Sequence, residues 1–359
     1  MTPLRVPTIP NSPLESAEHA QSFGYLQLRR NTALDFVENA AFDPDLAVYD
    51  DSYQNSQAHS NLFSQHMNSV LDLLKKQFPR GSKMVEVGCG KGDFVTLVEA
   101  DGHFSITGYD ATYEGAHPKI EKRYLTGHDR LDADVIVLRH VLEHVPQPHR
   151  FLTMLRTVFR SGSIYVEVPS HDWILAKQAF FDITYEHVNY FSEAALSRLF
   201  SAHSSVTGRL FGDQYQYIIA PINDLADDFG FHYDSDMWVP LDFGSMFPSL
   251  TCRIEDLDKM VEPSAKIYLW GAATKGCMFL VHCQNQKTLF GKVGFAIDIN
   301  PKKCGKFLPG SLVPIKDREA FFSAARPDDL LLISNPNYSA EIRQELIKHG
   351  LSTLRVEDL

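Results

Sequence analysis

The chain is poor in the residues that would take it out of the ordinary globular class. Its five cysteines, Cys89, Cys252, Cys277, Cys283 and Cys304, are odd in number and scattered over 359 residues, and no two form a CxxC pair. That excludes a disulfide framework and a zinc module, predicts no metal, and points to a reducing compartment. No apolar run approaches the ~20 residues that span a bilayer. The Pro-rich start MTPLRVPTIPNSP has no apolar stretch of the secretory kind and reads as an extended arm. Positive charge is short as well: 34 Lys and Arg against 45 Asp and Glu leave a formal charge of -11. There is no electrostatic footprint for nucleic acid or for an anionic membrane, so neither is an expected partner. A cytoplasmic protein acting on a small molecule is the expectation.

What is present is a grammar of short apolar strands, Gly-rich turns and amphipathic helices. NLFSQHMNSVLDLLKKQF places Leu62, Met67, Val70, Leu71 and Leu74 near helical spacing. KMVEVGCGKGDFVTLVEADG reads strand, turn and helix, and FSITGYD, DVIVLRHV and SIYVEVP read as further strands. SVTGRLFGDQYQYIIAP predicts an antiparallel hairpin. From about Lys266 the grammar restarts with KIYLWGAATKGCMFLVHC, KVGFAIDINP and DDLLLISNP. The predicted class is α/β: a doubly wound parallel sheet followed by a second Rossmann-like α/β domain. The boundaries are 1–60 as arm and cap, 61–222 as the first domain, 223–262 as linker or lid, and 263–359 as the second domain.

VEVGCGKGDF sets Glu86, Gly88, Gly90 and Gly92 between a predicted strand and a predicted helix, and Asp110 ends the next strand. The glycines allow close backbone approach to a ligand, and the helix start offers unpaired N–H groups. A tight GxGxG lacks the GxGxxG offset used to cradle a pyrophosphate. The acid two residues before the first glycine would repel phosphate and welcome an amino group. Glu86–GxGxG–Asp110, with LRHVLEHVPQP from Leu138, resembles the class I methyltransferases that bind S-adenosylmethionine. The resemblance implies that Gly88 and Gly90 lie beside the methionine end, with Gly92 completing the turn. It also implies Glu86 on the amino acid, Asp110 on the ribose, and Arg139 and His140 on the cofactor floor. A plain NAD-type fold is the competing reading of the same turn.

FDITYEHVNYFS, Phe181 to Ser192, brings a phenol, a carboxylate and an imidazole together at Tyr185, Glu186 and His187. With GAATKG (Gly271 to Gly276) and DINPKKCGKFLPGSLVPI from Asp298, it resembles the two-domain C-methyltransferases of nucleotide-linked keto-deoxysugars. The family's N-terminal Cys-rich module is missing here, and Thr184 stands where the family has Tyr. Methyl transfer to carbon needs a base for an acidified C–H and a donor for the enolate oxygen. The implied roles are His187 as base, Tyr185 or Tyr190 as enolate donor, and Glu186 as orienter or sugar ligand. In a strand, Tyr185 and His187 would share one face and Glu186 the other. Tyr53 and His59 are candidates to cap the methionine end. Gly271, Lys275 and Gly276 suit a diphosphate, and Asp298 a further substrate contact. Methyl transfer to O or N of a sugar remains the alternative, with a dinucleotide oxidoreductase and a non-catalytic nucleotide-sugar binder behind it.

Overall fold

Short strands buried on both faces, separated by helices, leave a parallel sheet as the economical way to satisfy the backbone. The computed structural model describes residues 3–49, 53, 60–201, 204–226 and 237–359. In the first domain seven strands lie in the order Val206–Leu210, Tyr215–Pro221, Ser163–Pro169, Val135–Arg139, Lys83–Val87, Ser105–Tyr109 and Ile120–Glu121. Tyr215–Pro221 runs antiparallel to both neighbours, completing the predicted hairpin, and the remaining pairs are parallel. The helix Asn61–Gln77 is capped by Ser60 and buries Phe63, Met67, Val70, Leu71 and Leu74. The second domain is a parallel sheet ordered Ile315–Lys316, Val293–Ile297, Ile267–Trp270, Leu330–Ile333 and Arg355–Asp358. Among the described residues no helix is long and apolar enough to cross a membrane.

The N-terminal residues are not a free arm. Leu4–Pro7 pairs antiparallel with Phe23–Leu26, and Leu14 exchanges backbone hydrogen bonds with Phe307 at 2.8 and 2.9 Å. Leu28–Asn31 and Phe36–Asn39 form a small antiparallel sheet with Asn189–Phe191 and Trp238–Pro240. The expected linker, 223–262, is likewise more than connecting chain. Trp238–Pro240 is an edge of that small sheet, and Leu250–Met260 is a helix whose Ile254 and Leu257 are buried in the second domain's core. Apolar residues decide both departures, because Leu4, Val6, Leu26 and Ile254 find burial only by docking.

One apolar cluster welds these parts. Val6, Leu26 and Val37 from the N-terminal strands meet Phe180, Phe181, Ile183 and Tyr185 from the aromatic-rich segment. The same cluster takes in Phe279, Leu280, Ala296 and Leu330 of the second domain. The segment after the fifth parallel strand is thus packed directly against the helix Thr274–Cys283 of the other domain.

Gly276, expected at a diphosphate, is instead a buried packing glycine inside that helix. A Cβ there would fall onto the Gly271 carbonyl oxygen, a backbone atom with no room to move. Gly276→Ala is expected to destabilise the protein by about 1–3 kcal/mol, read as a lowered urea midpoint at unchanged slope.

Candidate active site

The C-terminal ends of both parallel sheets open onto one cleft of about 400 Å³. Its walls come from the glycine turn (Gly88, Gly90), the strand end at Arg139 and His140, the segment around Glu186 and His187, and the second domain at Trp270, Asp298 and Tyr338. Ligands collect at such strand ends because the turns there expose backbone groups held by rigid elements.

At the first-domain end, Gly88, Gly90 and Gly92 all have positive φ, at 75°, 55° and 81°. Gly92 caps the helix Asp93–Asp101 and packs against Ile120, so it shapes the turn without lining the cleft. Asp110 Oδ2 accepts the Gly90 N–H at 2.8 Å, and its Oδ1 accepts the Thr112 N–H and hydroxyl, both at 2.8 Å. The acid therefore ties the second strand to the turn. Glu86 is 3% exposed, and its Oε2 is buried without a hydrogen-bond partner. Burial pushes its carboxyl up to about 7 against the pull of Arg139. A buried orphan acid beside a glycine turn fits the cationic amino acid of the cofactor that the resemblance implies.

Beneath the cleft floor lies a hub that the sequence reading missed. Glu167, fully buried on Ser163–Pro169, receives His66 Nε2 at 3.0 Å and the Tyr165 hydroxyl at 2.5 Å. His140 Nε2 lies 3.1 Å and Arg139 Nε 3.6 Å from the same carboxylate. Burial alone would raise Glu167, yet Arg139, His140 and His66 hold it well below the usual carboxylate range. Burial alone would lower His140, yet Glu143 and Glu167 raise it to about 9. A lone Glu in the otherwise apolar SIYVEVP was the available signal.

The aromatic–acid–imidazole segment is a bend, not a strand. The Thr184 hydroxyl accepts the His187 N–H at 3.3 Å, and the Tyr190 hydroxyl bridges the Thr184 N–H and carbonyl, both at 2.9 Å. That local knot turns Glu186 and His187 into the cleft together. Tyr185 goes the other way. Its hydroxyl accepts the Asp43 N–H at 2.7 Å, its ring packs on Phe42 at 5.3 Å, and it is fully buried. Tyr190 is spent on Thr184. Neither tyrosine lines the cleft, so the expectation that one of them donates to an enolate is corrected. The phenol beside Glu186 belongs to Tyr53, which lines the cleft and hydrogen-bonds the Glu186 side chain. His59 lies outside the described residues.

His144, quoted in the VLEHV motif but given no role, completes the group. Its Nδ1 lies 2.9 Å from the Glu186 carbonyl oxygen and 3.1 Å from the Tyr49 hydroxyl, and its ring stands edge-on to His187 at 4.9 Å. Burial, then the positive character of His144, His140 and Lys275, holds His187 well below its ordinary 6.5. The imidazole is therefore neutral near neutrality and has a lone pair to offer. Burial raises Glu186 despite His144, Tyr53 and Thr274.

In the second domain Gly271, Lys275 and Asp298 line the cleft. Lys275 is not a free clamp, because its ammonium is ion-paired with Asp182 and sits over the rings of Trp173 and Phe181. Asp298 Oδ1 accepts the Asn300 N–H at 2.9 Å, and its Oδ2 lies 3.4 Å from Lys303 Nζ. Lys303 is itself only 4% exposed. Among the described residues, two groups bring metal-type donor atoms within 4.8 Å of one another: His66, His140 and Glu167, and Glu143, His144 and His187. In the first, His66 is already hydrogen-bonded to Glu167 and His140 Nε2 lies 3.1 Å from the same carboxylate.

A family model described as a methyltransferase domain matches residues 58–203, and one described as a C-methyltransferase C-terminal domain matches 252–350. The C-methyltransferase NovU of Streptomyces niveus is 24% identical over 344 residues, covering 86% of this chain and 80% of that protein. Among solved structures, magnesium protoporphyrin IX methyltransferase of Synechocystis with bound S-adenosylhomocysteine is 17% identical, over 45% of this chain and 82% of that one, at a TM-score of 0.34. The Burkholderia thailandensis 1,6-didemethyltoxoflavin-N1-methyltransferase is 13% identical over 45% and 80%, at 0.32. Superpositions that partial carry no information on substrate.

Glu86 gives a prediction that needs no ligand. Its carboxyl rises on folding from 4.5 to about 7, so the protonated acid favours the folded state. Stability is therefore lost as pH climbs from 4.5 through 7, by on the order of 3 kcal/mol. Glu86→Gln is expected to remove that loss, matching the parent at pH 5 and melting higher at pH 8. Equal melting temperatures at both pH values would contradict the assignment.

Proposed function

We propose that the protein is an S-adenosylmethionine-dependent C-methyltransferase, a reading supported by its matches to a methyltransferase domain and to a C-methyltransferase C-terminal domain, and that its acceptor is a nucleotide-linked keto-sugar that reacts as an enolate. One observation carries the reading. The neutral, half-buried His187 faces the same cleft as Gly88 and Gly90, and that cleft continues to the strand ends of the second domain. The sugar motifs of the two halves, apart in sequence, border one space.

S-Adenosylmethionine, when bound, supplies an electrophilic methyl carbon. Glu86 would take its amino group, Gly88 and Gly90 would give the backbone clearance, and Asp110, whose oxygens already accept from Gly90 and Thr112, would meet the ribose only with its remaining lone pairs. On the acceptor side His187 lifts the proton from the carbon beside the ketone. His187 is oriented by its N–H bond to Thr184 and by the His144 ring. Its depressed basicity keeps it ready in the unprotonated form, and the developing enolate needs a hydrogen-bond donor to make the transfer feasible. Tyr53 is that donor, its single O–H leaving Glu186 for the enolate oxygen when the acceptor binds. The nucleotide extends toward Trp270, Asp298 and Tyr338, where a helix start and two aromatic rings offer N–H groups and stacking surface.

Every lysine and arginine among the described cleft residues has a carboxylate partner: Lys91 with Glu114, Arg139 with Glu167, Lys275 with Asp182, Lys303 with Asp298, and Arg318 with Glu319. A diphosphate is therefore met by backbone N–H groups at the start of Thr274–Cys283 rather than by a free ammonium clamp.

His187→Ala is expected to abolish turnover and leave donor affinity, measured by calorimetry, nearly unchanged. In deuterated water with a keto-sugar nucleotide, the parent should exchange hydrogen at the acidic carbon and the variant should not. Turnover surviving in His187→Ala would place the base elsewhere. Tyr53→Phe should lower kcat by roughly 100-fold. Tyr185→Phe should cost stability through the lost Asp43 hydrogen bond and leave kcat close to the parent value.

A further inference from the structure

The carboxylate of Glu186 is 2% exposed and lies at the seam between the domains. A buried carboxylate needs donors to hold one geometry. Tyr53 provides one. The other reaches across from the second domain: Thr274 Oγ1 donates to Glu186 Oε1 at 3.3 Å. Glu186 Oε2 has no partner, so loss of either donor would leave the group under-satisfied.

We propose that Thr274 is a positioning residue for methyl transfer, its hydroxyl fixing the Glu186 carboxylate against the acceptor from across the domain boundary. This rests on the reading of Glu186 and His187 as the acceptor-side centre. Thr274 is the first residue of the helix Thr274–Cys283, and the residue before it, Ala273, makes no side-chain cap. The Thr274 hydroxyl is thus given to Glu186 and not to its own helix. The next residue, Lys275, grips Asp182. Two adjacent residues at one helix start therefore hold two acids of the same short segment.

The turn that presents Thr274 is itself braced. Gly271 and Ala272 donate to the Ile297 carbonyl at 2.8 and 3.2 Å. The Ala272 carbonyl accepts Lys303 Nζ at 3.2 Å, and that ammonium also reaches Asn11 Oδ1 at 2.9 Å. A chain of contacts runs from the N-terminal residues through Lys303 and the turn to the Glu186 carboxylate. A residue placed only to start a helix would need no such support.

The test uses the full chain with a keto-sugar nucleotide. Thr274→Val keeps the shape and removes the donor; Thr274→Ser restores it; Thr274→Ala serves if the Val variant fails to fold. The Val variant should lower kcat about tenfold, with KM and donor affinity within twofold, and the Ser variant should recover most of the loss. In a Glu186→Gln background the same Val change should add almost nothing. A Val variant at parental kcat, a Ser variant no better than Val, or full additivity with Glu186→Gln would each overturn the proposal. If His187→Ala retains turnover, the acceptor-side reading itself fails. If His187 is essential and Thr274 silent, only the positioning role fails.

Discussion

A carboxylate and an imidazole with little solvent around them keep a working geometry only if other groups supply what water would. At Glu186 and His187 those groups come from every part of the chain: Thr184 and Tyr190 from the segment itself, His144 from the short helical turn after Val135–Arg139, Tyr53 from near the N-terminus, and Thr274 from the second domain. The remaining architecture serves that convergence. The apolar cluster that joins Val6, Phe180 and Phe279 removes the freedom that a two-domain chain would otherwise have at its seam. The ion pair of Lys275 with Asp182 adds direction to that adhesion.

The electrostatics of the cleft follow from the same crowding. Its two reporting imidazoles are driven apart, His140 upward by two carboxylates and His187 downward by burial and neighbouring positive charge. Neighbouring groups held in opposite protonation states are how one site can run proton transfer near neutral pH. Glu86 is an acid kept partly protonated by burial, whereas Glu167 is an acid kept ionised by cations already in place. Two glutamates on the strands either side of Val135–Arg139 thus differ because one has its partners and the other does not.

Much of this was legible because it is local. The glycine turn, Glu86 before it, the hairpin at Val206–Pro221 and the restart of strand and helix after Lys266 each depend on a few neighbouring residues, and each was readable from spacing. Glu186 and His187 stand in a motif just as local. What could not be read was which tyrosine would accompany them. That depends on whether residues 184–187 run straight or bend, and the bend is decided by the Thr184 hydroxyl and by Tyr190 arriving from beyond it. Tyr53 and Thr274 are far from the motif in sequence, so only the folded chain brings them to it. Lys275 looked like a phosphate ligand because a sequence shows a charge and hides the acid that will neutralise it.

The Leu14–Phe307 pairing and the mixed apolar cluster also bear on how such a protein can be rearranged. A second domain borrowed from a relative to change acceptor would inherit neither the first forty residues nor the aromatic segment it was shaped to fit. Cutting at the apparent boundary would strip Phe180, Phe279 and Val6 of one another. A workable chimera has to carry three discontinuous pieces as one graft, and natural shuffling of acceptor preference in this architecture faces the same restriction.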